Sequence, residues 1–264
     1  MTFDVQRAAS LLIEARGNHR QVEPFAPGPR SAAEAYAVQD AVARHLGAAG
    51  GWKVGAKGRD QTPNAAPLAA TLIRHSPARW PAASLHMIGI ETEIAFRLGR
   101  DIAPRAGGVS PEEVWAAVSS VHAAIEIVDT RLLRWKEADR LWVLADNQSN
   151  GGFVYSEEGV AVPDHSLAEV EVRLAVDGQV AVAGTVRNPA GDPRWLVEWL
   201  VNHCAVERGG LSAGQLITTG SYTGMIFVEP GASIEAAVQG IGGVAVRFPS
   251  SGQAVRSDCM QNSI

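Results

Sequence analysis

The chain has 264 residues, 46% of them apolar and 19% charged, with a net charge of −5. That is enough for a sizeable core in one large domain or two small ones, with the composition of an ordinary globular protein. No basic stripe is present to grip nucleic acid, and no apolar run approaches the ~20 residues that span a bilayer. The opening Met1-Thr2-Phe3-Asp4-Val5-Gln6-Arg7 lacks a long apolar stretch, so neither a signal peptide nor membrane binding is expected, and the expected location is the cytoplasm. Cys204 and Cys259 form no CxxC, which argues against a disulfide framework or a zinc ribbon. Cys204 reads as a buried thiol and Cys259 as a thiol in the tail.

The first 50 residues read as a helical N-terminal arm. Leu11-Leu12-Ile13-Glu14-Ala15 suggests a first helix. A Pro/Gly segment follows, and Ser31 with Glu34 forms a capping box for a second helix ending near Leu46. From Gly51 the character changes to short strands and glycine turns, beginning with Trp52-Lys53-Val54-Gly55. The 61–81 stretch is read as an irregular lid or active-site loop. Ile90-Glu91-Thr92-Glu93-Ile94-Ala95-Phe96 reads as a strand, and Ser110-Pro111-Glu112-Glu113 as a helix start. That helix runs into a strand ending near Asp129. Strands are expected at 152–155, 169–176 and 180–185, then a helix from Asp192 to about Glu207 stopped by Gly209-Gly210. The rest, 216–248, is strand and turn, and the tail from Ser250 is polar and loosely held. With no clean linker, 1–264 is read as a single mixed α+β domain: arm 1–50, β-rich core 51–249 and tail 250–264.

Glu91 and Glu93, two apart on a strand, point to the same face ~7 Å apart along it. Burying like charges side by side is costly unless a cation lies between them. A divalent metal is the simplest cation, and oxygen ligands favour Mg²⁺, Mn²⁺ or Ca²⁺ over zinc. Glu126 lies in the apolar run Ala124-Ile125-Glu126-Ile127-Val128, so it is either the third ligand or the partner of an arginine such as Arg131. Lys53 either binds a carboxylate or moves a proton, or it is a surface lysine on an edge strand. Asp146-Asn147-Gln148-Ser149-Asn150 either hydrogen-bonds a substrate or makes a polar turn. Thr218-Thr219-Gly220-Ser221-Tyr222-Thr223-Gly224 either brings backbone N–H groups to an anion or is a hairpin turn. Gly240-Ile241-Gly242-Gly243 precedes a strand, so it is not a dinucleotide fingerprint, and His122 reads as structural.

These pieces, with Gly51-Trp52-Lys53-Val54-Gly55 and Ala124-Ile125-Glu126-Ile127-Val128-Asp129-Thr130-Arg131, resemble the 2-keto-4-pentenoate hydratase / 4-oxalocrotonate decarboxylase group of the fumarylacetoacetate hydrolase superfamily. The resemblance covers most of the chain in the right order. It implies an α+β fold with a mixed β-roll core and homo-oligomers, with association between related hydratases and decarboxylases a further possibility. It puts the metal ligands on Glu91, Glu93 and Glu126, the catalytic lysine on Lys53 and the serine on Ser149. Asn147, Thr219, Gly220 and Ser221 would bind substrate, and the metal would be Mg²⁺ or Mn²⁺. The implied reaction is hydration of a 2-hydroxy-2,4-dienoate to a 4-hydroxy-2-oxo acid in the breakdown of aromatic compounds. Alternatives are decarboxylation of a 2-oxo-3-enedioate, hydrolysis of an acylpyruvate, or a non-catalytic metal- or 2-oxo-acid-binding subunit. Hydratases of this group carry an aspartate in a Pro-Asp-Phe-Gly-like motif. Here the region reads Thr62-Pro63-Asn64-Ala65-Ala66-Pro67-Leu68-Ala69-Ala70, with no aspartate after Asp60. The hydrolase His/Glu dyad is also absent, because Ser76-Pro77-Ala78 follows His75.

Overall fold

A computed structural model describes residues 2–250; Cys259 and the expected loose tail beyond Ser250 lie outside them. The arm contains helices α1 (Val5–Gly17) and α2 (Ala32–Leu46). Each begins at a side-chain cap, with Asp4 accepting from Arg7 N–H and Ser31 from Glu34 N–H. Strand β1 (Ala49–Gly55) follows, then β2 (Asn64–Ala69), β3 (Ile73–His75), β4 (Ala78–Arg79) and β5 (Gly89–Leu98). A complete Ser110/Glu113 capping box opens α3 (Pro111–Ala117), which passes directly into β6 (Val118–Val128). Next come α4 (Arg140–Ala145), β7 (Asn150–Tyr155), β8 (Glu169–Val176), β9 (Gln179–Arg187) and α5 (Arg194–Glu207). Strands β10 (Leu216–Thr218), β11 (Ile226–Phe227), β12 (Ser233–Val238) and β13 (Gly242–Arg247) complete the fold.

Two sheets result. The larger runs β2-β1-β10-β5-β6-β7-β3, with β11 also on β5, and the smaller β4-β13-β12-β8-β9. The larger sheet curls until β2 approaches β7. One of its faces, with Trp52, Ile94, Phe96, Ile125 and Ile217, packs on the smaller sheet and α5 in the main core. The opposite face carries a small apolar layer of Leu68, Ala95, Ala124, Phe153, Tyr155 and Leu216. A separate core joins α1, α2 and α4 through Leu12, Val38 and Trp142. The fold is the mixed α+β roll that the resemblance implies.

The expectation of an irregular loop at 61–81 is corrected. Residues 64–69 form β2, buried along most of its length, and 73–75 and 78–79 are strands. Ala-rich composition and Pro67 hide the strand, because alanine and proline are depleted in sheets. Proline is tolerated here because β2 is an edge strand pairing only with β1. Helix α4, capped by Asp139, was not foreseen. The hairpin alternative for 218–224 also fails, because β10 and β11 lie one after the other along β5 and not on each other. The Gly240 segment is the turn between β12 and β13.

Candidate metal centre and active site

Strand register gathers the acidic residues. Glu91 on β5 is opposite Glu126 on β6, and Glu93 follows two residues later on the same face. Carboxylate oxygens of all three lie within 4.8 Å of one another. On the other side, Lys53 of β1 is level with Thr218 of β10, and Thr218 with Ala95 of β5. This puts the lysine and the threonine hydroxyl beside the acids. Lys53 Nζ donates to Glu126 Oε1 at 2.6 Å and to the Gln148 carbonyl at 3.1 Å. Thr218 Oγ1 donates to Glu93 Oε2, and Asn150 Nδ2 to Glu126 Oε1 at 2.9 Å.

Both open alternatives for the charged residues are now decided against. Glu126 pairs with Lys53, while Arg131 pairs with Asp146 at 2.6 Å. Lys53 is no edge-strand lysine either, since β1 lies between β2 and β10 and its side chain is only 13% exposed.

Three carboxylates face one ammonium, and the electrostatics record the deficit. Burial, then the charge of Glu126, raises Glu91 to about 7. Burial, then Glu126 and Glu91, raises Glu93 to about 8. Burial opposes the charge on Lys53, but Glu126, Glu91 and Glu93 together outweigh it and hold its pKa above the ordinary lysine value. In the metal-free protein Lys53 is therefore a cation at neutral pH.

The residues fit a divalent cation. Glu126 Oε2 is buried without a hydrogen-bond partner. The span of 4.8 Å across the carboxylates matches the ~4–5 Å that two oxygens can lie apart on one hard ion. All the donors are oxygen, as Mg²⁺, Mn²⁺ and Ca²⁺ prefer.

Glu91 and Glu93 have folded pKa values above their unfolded ones, so the native state binds more protons across that window. Their contribution to stability is present below the unfolded value and is lost as pH rises through about 7 and 8. Thermal unfolding in chelator should show the melting temperature falling by more than about 5 °C from pH 5 to pH 8. Saturating Mn²⁺ should remove that fall, because metal binds the deprotonated carboxylates.

The polar segment after α4 is strained. Asn147, Gln148 and Ser149 have φ of 50°, 49° and 59°, three consecutive non-glycine residues in left-handed backbone. Such conformations persist where surrounding structure holds them, and they cluster at functional sites. Here the twist presents the Gln148 carbonyl to Lys53 and leaves the buried Ser149 hydroxyl without a partner. Asn147 turns away: its amide donates to Pro67 O and lines a cavity with Trp52 and Arg208.

The loop after β10 stays close to β5. Tyr222 N–H donates to Thr92 O, and Thr92 N–H to Thr223 Oγ1. Thr219 is buried with its hydroxyl 3.4 Å from Ile94 O, Gly220 has φ of 89°, and Ser221 Oγ donates to Gly224 O. Thr218, Gln148 and Asn150 touch the charged cluster; the sequence places all three in candidate segments but assigns none of them a role. The only available signal was adjacency to residues that were. His122 is structural, bonded to Ser120 and to Ser156 O, and burial lowers its pKa. Cys204 is buried, which pushes its thiol up to about 12.

The sequence profile of the fumarylacetoacetate (FAA) hydrolase C-terminal family matches residues 34–248. The 2-keto-4-pentenoate hydratase of Paraburkholderia xenovorans (strain LB400) is 32% identical over 173 residues, 65% of this chain. The chain spans 62% of that relative's length. The 2-keto-4-pentenoate hydratase of Burkholderia vietnamiensis (strain G4 / LMG 22486) is 29% identical over 255 residues, covering 91% of this chain and 95% of the relative. Among solved structures, the 4-oxalocrotonate decarboxylase from Pseudomonas putida G7, complexed with magnesium and adipate, superimposes with a TM-score of 0.80. It is 26% identical, and the match covers 94% of this chain and 99% of that one.

Proposed function

The chain belongs to the fumarylacetoacetate hydrolase C-terminal family, and from that premise we propose that it is a divalent-metal-dependent hydratase. It converts a 2-hydroxy-2,4-dienoate of the 2-keto-4-pentenoate type to a 4-hydroxy-2-oxo acid, a step in the breakdown of aromatic compounds. The observation that carries this reading is the meeting of three glutamate carboxylates within 4.8 Å, beside a lysine held in its charged form.

Glu91, Glu93 and Glu126 would hold Mg²⁺ or Mn²⁺, which supplies Lewis-acid charge where negative charge gathers on the substrate's carboxylate and 2-oxo oxygens. Two of Lys53's three ammonium hydrogens are engaged by Glu126 and Gln148. The third is available to orient the substrate carboxylate or to hold the proton that shifts as the dienol ketonises. That proton moves from the 2-hydroxyl to C5, giving an α,β-unsaturated ketone. Water then adds across C3 and C4, with oxygen on C4. The partnerless hydroxyl of Ser149 holds the substrate or the attacking water. Thr219, Gly220 and Ser221 flank the substrate's carboxylate end, while Asn147, engaged with Pro67 O, takes no part in holding the substrate. Thr218 fixes the orientation of Glu93, as an outer partner does for a metal ligand. The protein acts in the cytoplasm as a homo-oligomer and is able to associate with a related decarboxylase.

Decarboxylation is the second reading. It is favoured by the TM-score of 0.80 to a decarboxylase and by the absence of any aspartate or glutamate from 61 to 75. Loss of CO₂ from a 2-oxo-3-enedioate draws on the same stabilised negative charge. Assays with 2-hydroxypenta-2,4-dienoate and 2-oxo-3-hexenedioate, each with Mg²⁺, separate the two. The proposal expects 4-hydroxy-2-oxopentanoate from the first and no CO₂ from the second. CO₂ release without hydrated product would replace it with the decarboxylase.

A further inference from the structure

A cavity of about 300 Å³ lies outside the curled sheet, between the end of α1, strand β3, the 80–86 segment and the residues after β6. Its polar lining is mostly cationic: Arg16, Arg74 and Arg131 contribute guanidinium groups, His86 an imidazole, and Asp129 a carboxylate. The fixed members of the set satisfy one another. Arg131 is held by Asp146 at 2.6 Å and by Asn150 O at 3.0 Å. Asp129 accepts from the N–H groups of His86 and Met87, and its other oxygen lies 3.3 Å from His86 Nδ1.

Three groups are left wanting partners. Arg16 makes a single 3.4 Å contact to Asn150 O, and no carboxylate among the described residues lies within ion-pair distance of it. Arg74 donates to Arg79 O and stacks over Trp80 at 4.4 Å, again with no described carboxylate. His86 Nε2 is buried without any partner. With its hydrogen on Nδ1, facing the acceptor Asp129, the His86 ring presents the lone pair of Nε2. Two guanidinium donors and one buried ring nitrogen therefore line the same cavity.

We propose that this cavity is a binding site for inorganic hydrogen phosphate, which keeps a hydroxyl at neutral pH. Its oxyanion would accept from Arg16 and Arg74 and its hydroxyl would donate to His86 Nε2. A simple carboxylate or sulfate has no hydroxyl at neutral pH and leaves the histidine unmet, so it should bind more weakly. Guanidinium forks suit phosphate geometry. Burial, then the neighbouring charge of Arg131, holds Arg16 down to about 9, a penalty that a bound anion relieves. The cavity lining includes none of Glu91, Glu93, Glu126 or Lys53, so its failure and that of the hydratase reading are distinguishable.

The test is calorimetric titration of inorganic phosphate into the full-length, Mg²⁺-loaded protein at pH 7. The expected result is a saturable site that sulfate fills at least about 10-fold more weakly. Arg16→Gln and the exposed Arg74→Gln should each weaken phosphate binding about 10- to 100-fold. Glu93→Gln should leave it unchanged. Equal affinity in wild type and both arginine variants, no saturable binding, or loss of binding in Glu93→Gln would each overturn the site. Sulfate binding as tightly as phosphate would overturn the role given to the hydroxyl.

Discussion

Glu93→Gln should abolish metal-dependent turnover while making the metal-free protein more stable at pH 8. The two effects have one cause. Glu93 is buried beside Glu91 and Glu126, and its pKa is raised to about 8 by burial first and then by those neighbours. Without metal its charge is a burden, and glutamine removes that burden with little change of shape. With metal the same charge is a ligand, and Thr218 already holds the carboxylate in place. The expected loss in turnover is at least about 10³-fold, the scale of removing a group that stabilises charge in the transition state. Melting in chelator and metal-dependent turnover of 2-hydroxypenta-2,4-dienoate check the two effects. A variant that keeps wild-type activity in metal-stripped buffer would remove Glu93 from the mechanism.

Lys53→Met should separate binding of the metal from catalysis. Lys53 is the one cation that hydrogen-bonds the carboxylate cluster among the described residues. Its removal leaves three acids more negative, so Mn²⁺ should bind at least as tightly as in wild type. The variant also loses the charge assigned to the substrate carboxylate and the ketonising proton. The fall expected in kcat is about 10²- to 10⁴-fold. Breaking a buried pair also costs about 3–5 kcal/mol of stability in the metal-free protein, which is why the kinetics belong in saturating metal. Mn²⁺ paramagnetic resonance beside steady-state kinetics reads both quantities. Activity within threefold of wild type would make the lysine a purely structural partner of Glu126.

The charged centre was legible because it violates local expectation. A carboxylate inside Ala124-Ile125-Glu126-Ile127-Val128 and a Glu-x-Glu on an apolar strand each demand a counter-charge, and period-two geometry puts the pair on one face. Sequence alone did not say that β5 and β6 pair with Glu91 opposite Glu126, because register is a long-range property. The choice of Thr218 rather than Thr219 beside Glu93 depends on that same register. The 61–81 stretch was misread because Ala-rich β2 carries no β-branched signature and contains a proline, so its strand character comes from burial against β1. The left-handed turn at Asn147, Gln148 and Ser149 has only a weak sequence signal, since asparagine tolerates that backbone but glutamine and serine do not announce it.

The most direct measurement is to titrate Mn²⁺ into metal-free protein and follow metal occupancy and hydration of 2-hydroxypenta-2,4-dienoate in the same samples. Turnover rising in proportion to occupancy, and saturating at one ion per chain, is the predicted result. Full turnover before any metal binds, or a saturated site that yields no 4-hydroxy-2-oxopentanoate, would contradict the account.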